Sequence, residues 1–197
     1  METTLTGFLV FCLAAGFTPG PNNLMLATSG ANFGMRRTLP HLSGVIIGYP
    51  ILMIATGAGV AGLFSRFPAL HDVLVVTGSL YLLWLAWRIA FASALSPQEG
   101  SARPLTFWQA VAFQWVNPKG WLMAVTAMTV YVDADANRLL QVPLLALIAG
   151  IVTIFATSTW AIFGVAMSRA FESRPRVFRA FNIMMGVLLV GSLYTLV

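Results

Sequence analysis

The sequence predicts an all-α membrane protein: six transmembrane helices arranged as two inverted three-helix repeats, with helices 1 and 4 broken. Three observations lead there. The 197 residues are 58% hydrophobic and only 9% charged. A soluble domain runs roughly 45–50% apolar and about 25% charged, so this chain lacks the charge to dress a water-facing surface. Its apolar residues also fall in blocks close to the roughly 20 residues that cross a bilayer core. Finally, proline-centred interruptions recur at matching places in the two halves.

The first block runs from about Thr4 to Phe33 and is interrupted at Pro19-Gly20-Pro21. The second spans about His41 to Phe64 and the third about Leu70 to Phe91. A polar stretch around Ser96-Pro97-Gln98-Glu99-Gly100 reads as a linker. The fourth block, about Leu105 to Val132, is interrupted at Asn117-Pro118. The fifth covers about Leu139 to Met167 and the sixth about Val177 to Val197. Residues 1–95 are therefore read as the first repeat, 96–104 as a cytoplasmic linker and 105–197 as the second repeat. Three spans per half is an odd number, which turns the second half upside down relative to the first.

Charge placement sets the expected orientation. Arg36, Arg37, Arg88, Arg103, Arg169, Arg174, Arg176 and Arg179 fall on one side, and Arg66 and Arg138 on the other. The eight-to-two bias makes the first side cytoplasmic and leaves both termini outside. The net charge of +5 is thereby read as membrane orientation and contact with anionic lipid, with no nucleic acid as partner. The start Met1-Glu2-Thr3-Thr4 has no positive n-region, so the first block is read as a retained helix. Cys12 is the only cysteine, which excludes an intrachain disulfide and a paired-cysteine redox carrier. No metal site or cofactor is expected. Trp84, Trp87, Trp108 and Tyr194 read as interfacial anchors, and His41 as an interfacial residue beside Pro40.

The two breaks are the candidate binding site. Proline inside a helix removes a backbone donor and clashes with the preceding turn, and in lipid the freed groups need partners or a wet cavity. Thr18 before Pro19, and Asn117 before Pro118, read as N-caps with proline at the first helical position. A half-helix then begins near mid-membrane in each half, with a partial positive charge suited to a carboxylate. Interrupted segments in corresponding positions are the mark of a binding site in inverted-repeat secondary transporters. Lys119 is the only lysine and sits near midspan, where insertion costs roughly 2.5–3.5 kcal/mol. No acidic residue accompanies it there, so a substrate carboxylate is one candidate partner and loop or helix carbonyls are the other. The same lack of a buried acid argues against cationic substrates. Thr18, Asn22, Asn23, Gln114 and Asn117 are candidates for a zwitterion's amino group and side chain, with helix-to-helix hydrogen bonds as the alternative for each. Trp115 and Trp121 flank the second break as candidate cavity walls. Gly30/Gly34, Gly44/Gly48, Ala55/Gly59 and Ala58/Gly62 are small-residue pairs, read as close helix packing, with gating or homodimer contact as alternatives.

Gly16-Phe17-Thr18-Pro19-Gly20-Pro21-Asn22, followed by Gly30, Gly34 and the glycine-rich second span, resembles the LysE/RhtB family of bacterial amino-acid exporters. Asn117-Pro118-Lys119-Gly120 is similar to that family's second signature. The resemblance covers the whole chain in length, span number and signature placement. It implies export of amino acids or related metabolites through the bacterial inner membrane, driven by the proton gradient. From the reading of the two breaks and their polar neighbours, Thr18, Pro19, Gly20, Pro21, Asn22, Gln114, Asn117, Pro118 and Lys119 are the expected substrate-binding residues. The missing mid-membrane acid favours neutral substrates such as threonine, homoserine or leucine-like solutes. Coupling stays open: carboxylate pairing with Lys119 by itself gives cotransport, whereas proton antiport needs competition. A channel, a structural membrane subunit and a metal-ion exporter are the alternatives. An intramembrane protease finds no G-x-S-G motif and no midspan histidine.

Overall fold

The computed structural model describes residues 2–91, 103–133 and 137–192. Linker residues 96–102 and Tyr194 lie outside the described residues. Within them the regular elements are helices: α1 (Glu2–Phe17), α2 (Pro21–Gly57), α3 (Gly62–Arg66), α4 (Pro68–Ala90), α5 (Phe107–Phe113), α6 (Pro118–Val130), α7 (Arg138–Ala170) and α8 (Pro175–Gly191). A 3₁₀ turn, Gln114–Val116, continues α5 up to the second break.

Helix ends follow local chemistry. Thr106 opens α5 with a reciprocal capping box: its hydroxyl accepts from Gln109 N, and Gln109 Oε1 accepts from Thr106 N. Asn137 caps α7 by accepting from Leu139 N. α2 ends in a Schellman turn, with Gly59 N donating to Thr56 O and Val60 N to Ala55 O. Gly59 sits at φ 98 there. Its place in the Ala55/Gly59 pair therefore reflects a helix stop rather than a packing face.

α2 is two helices joined at a point. Gly34, at φ 73 and ψ 167, is non-helical inside it. Ser29 and Thr38, nine residues apart, bring their hydroxyls to 3.1 Å. In a straight helix they would be about 13.5 Å apart along the axis. The arms before and after Gly34 thus fold back on each other, and only glycine takes this left-handed turn at low cost. The expected connection carrying Arg36 and Arg37 shrinks to this one residue, and the second helix resumes immediately.

Three helices, Pro21–Gly57, Asp72–Ala90 and Arg138–Ala170, contain stretches long and apolar enough to cross a membrane, and Thr4–Phe17 is a shorter apolar helix. The breaks divide the first and fourth blocks into shorter pieces. α7, at 33 residues, is about 50 Å long. Its large side chains Leu144, Leu147, Ile151, Phe155 and Ile162 point outward, while Ala146, Ala149, Ala156, Ala161 and Gly164 are buried. Val142, Leu145 and Val152 are buried beside them, and the small residues permit the close backbone approach that drives helix association in lipid. An apolar exterior of this extent is foreign to a water-soluble monomer.

α2 packs along α7, α4 against α8, α5 against α2, and α1 against α7. The contacts are backbone-close. A methyl built on Gly164 would lie 1.8 Å from Ala27 O, on Gly30 2.3 Å from Ala161 O, and on Gly44 2.4 Å from Phe107 O. Gly30, Gly44 and Gly48 are thereby used within the chain. Arg138 donates to Gly57 O at one end of α7. Arg169 lies in the last turn at its other end.

Candidate functional site

The two breaks meet. Lys119 Nζ, from the second half, donates to Thr18 O at 3.0 Å, Thr18 Oγ1 at 2.8 Å and Pro19 O at 3.3 Å. Those bonds use all three ammonium donors. Asn22 and Gln114 form a reciprocal amide pair across the halves, at 2.8 and 3.2 Å. Gln114 Nε2 also donates to Ala110 O, and the residue is fully buried.

A helix must satisfy its last carbonyls with donors from outside its own ladder. α1 does so with side chains. Thr18 Oγ1 donates to Ala15 O, Asn23 Nδ2 to Gly16 O and Thr18 O, Trp160 Nε1 to Phe17 O, and Lys119 to Thr18 O and Pro19 O. The carbonyl end of the break is closed.

The N–H ends are open. The N-cap of α2's first arm is Gly20, with Pro21 at the first helical position. This corrects the expectation of Thr18 as the cap: with Pro19 outside any helix and Gly20 extended at φ −175 and ψ 173, helix resumes at the second proline. Asn117 is the N-cap residue of α6, as expected, with Pro118 at the first position. No side chain caps either terminus. Both point their unpaired N–H groups and positive dipole ends into one region.

That region is a cavity of about 60 Å³, lined by Gly20, Pro21, Asn22, Asn23, Asn117, Lys119 and Gly120, with Val45, Tyr49, Met123, Thr153 and Thr157 among its other walls. At roughly 10–15 Å³ per water it holds about four to six water-sized groups, the scale of an amino acid's ammonium, carboxylate and Cα. Of the expected site residues, Gly20, Pro21, Asn22, Asn117 and Lys119 line it. Thr18, Pro19 and Gln114 stand one hydrogen bond behind, and Pro118 starts its helix.

Other expectations change. Trp115 and Trp121 are not among the lining residues: Trp121 Nε1 donates to Trp115 O at 2.8 Å, and both rings pack on the core around α1 and α7. His41 is 1% exposed rather than interfacial, and neither ring nitrogen has a hydrogen-bond partner. Sequence reasoning missed Thr153 and Thr157, which sit one helical turn apart on α7. It also missed the reciprocal Asn32–Asn182 amide pair that ties α2 to α8. Asparagines within otherwise apolar spans were the available signal. Among the described residues, no three His, Cys, Asp or Glu side chains group as metal ligands.

An apolar-faced helical protein with two broken helices closing on a cavity that carries a lysine and several amide side chains is a membrane transporter in class. The comparisons with known proteins make the assignment specific. The family model for LysE type translocator matches residues 13–193. The chain is 31% identical over 189 residues to the "Cysteine/O-acetylserine efflux protein" of Escherichia coli (strain K12), covering 95% of this chain and 94% of that protein. The protein of the same name from Shigella sonnei (strain Ss046) matches with the same identity and coverage. No solved structure matches. The chain belongs to the LysE family of translocators.

Proposed function

We propose that this protein exports small neutral amino acids across the bacterial inner membrane by alternating access. In this reading two inverted three-helix repeats rock around the cavity between the breaks. The pairing of equivalent elements supports the repeat: α2 with α7, α4 with α8, and α1 on α7 as α5 is on α2. The arginine bias puts the Gly34 turn and the α7–α8 connection in the cytoplasm and both termini outside. The relatives named as cysteine and O-acetylserine efflux proteins support substrates with small, uncharged side chains. The proton gradient is the proposed driving force.

One observation supports this most. Two uncapped helix N-termini and the only lysine converge on one cavity. That is a carboxylate site, built from dipole ends and a cation in a water-poor setting. Lys119 passes from its longest bond, Pro19 O at 3.3 Å, to the substrate carboxylate. The carbonyls it holds in the empty state are those it partly releases on loading.

The test is efflux of preloaded labelled amino acids from cells making the wild type or Lys119→Gln at matched membrane abundance. Wild-type export of cysteine, O-acetylserine or a similar neutral amino acid, lost in the variant, is the expected result. Equal export by the variant refutes the role given to Lys119. Export insensitive to a protonophore refutes the driving force.

A further inference from the structure

Five polar side chains stand at the breaks, and the structure separates them. Thr18 Oγ1 is held between Ala15 O and Lys119. Asn22 and Gln114 satisfy each other. Asn23 spends its amide N–H groups on the end of α1. Asn117 differs. It lines the cavity, is 2% exposed, and its Oδ1 is buried without a hydrogen-bond partner. It does not cap the helix it begins. The hydroxyls of Thr153 and Thr157, which line the cavity from α7, can still accept, but each already has a partner through its proton, donated to Ala149 O and Thr153 O, which Asn117 Oδ1 lacks.

An unmet buried carbonyl is costly, and its persistence calls for a donor in another state of the molecule. The position of that donor is constrained. A carboxylate at the open N–H ends and Lys119 leaves the substrate's other charged group to find an acceptor nearby. The carbonyls of Ala15, Gly16, Phe17 and Thr18 keep their side-chain donors, Pro19 O, released by Lys119 on loading, belongs to a residue outside the lining, and no Asp or Glu lines the cavity. We propose that Asn117 Oδ1 accepts a hydrogen bond from the substrate's α-ammonium, so that this residue selects α-amino acids over carboxylates of the same shape that lack the amino group. The inference rests on the carboxylate site proposed above. It names Asn117 as a specificity-determining residue, whereas Lys119 serves amino acids and simple carboxylates alike.

The test uses the purified full-length chain and two probes, L-cysteine and 3-sulfanylpropanoate, which is cysteine without its amino group. The ratio of their dissociation constants is the readout, because it is insensitive to the fraction of protein that folds. The wild type is expected to prefer cysteine. Asn117→Leu, close in size and without an acceptor, should reduce that preference by about 5- to 150-fold, the worth of one unmet buried group. Asn117→Asp keeps the acceptor and should keep the preference, even where the added charge weakens both probes. An unchanged ratio in Asn117→Leu overturns the inference while leaving the carboxylate site standing, provided Lys119→Gln weakens both probes alike. If Lys119→Gln changes neither constant, the carboxylate site itself is wrong. A wild type that binds both probes equally, or neither, overturns the inference outright.

Discussion

Gly20→Ala probes the clasp between the two halves at one atom. The backbone permits alanine, since φ −175 and ψ 173 is extended and open to any residue. The side chain does not fit: its Cβ would lie 2.6 Å from Lys119 Cδ and 3.0 Å from Nζ, and the three nearest atoms all belong to Lys119. Carbon atoms sit at about 3.5–4.0 Å in good contact, so Cδ must retreat by roughly 1 Å. The ammonium bonds of 2.8, 3.0 and 3.3 Å then stretch or break. Each is charge-assisted, worth about 1.5–3 kcal/mol in soluble proteins, but interhelical bonds in membranes average only about 0.6 kcal/mol. The summed loss of stability is on the order of 1–3 kcal/mol. Transport should suffer more, by about 10- to 100-fold, because a misplacement of ~1 Å at a reacting or binding group costs on that scale. Efflux at matched abundance and thermal unfolding in detergent measure the two effects. In a Lys119→Ala background the same substitution should cost nothing further, since no Cδ remains to be met. Wild-type efflux and stability in Gly20→Ala, or full additivity in the double variant, would refute the geometry.

Two further outcomes follow from packing alone. Gly164→Ala places its Cβ 1.8 Å from Ala27 O, 2.6 Å from its carbonyl carbon and 2.9 Å from its Cα. A C···O contact needs about 3.3 Å, so α7 and the first arm of α2 must part by roughly 1.5 Å at a backbone contact that cannot yield. A loss of about 1–3 kcal/mol or more is expected in thermal unfolding, against no loss in Gly62→Ala, where nothing lies within 4 Å; equal midpoints would refute the close crossing. His41→Leu removes a buried imidazole with no hydrogen-bond partner. Since an unmet buried polar group costs about 1–3 kcal/mol, stability should hold or rise, and a loss above about 1 kcal/mol would show that the ring has a partner.

The sequence by itself determined the solvent and the punctuation. Charge density and apolar block length do not depend on tertiary contacts, so the described residues of each apolar block are mainly helical, and three helices contain stretches long and apolar enough to cross a membrane. Pro118 begins a helix at the position its ring best tolerates, and Lys119 stands out in any linear reading because a midspan cation is costly. Tertiary structure decided what single residues do there. Both Pro19 and Pro21 can start a helix, and the choice of Pro21 moved the cap from Thr18 to Gly20, freeing Thr18 to hold Lys119. Gly34 reads as one member of a packing pair, yet it carries the reversal that turns one long helix into two. Asn22, Gln114 and Asn117 are alike as letters. Only the meeting of helices distant in sequence pairs the first two and leaves the third with a buried carbonyl unmet, because hydrogen-bond partners more than 90 residues apart are fixed by packing and not by local sequence.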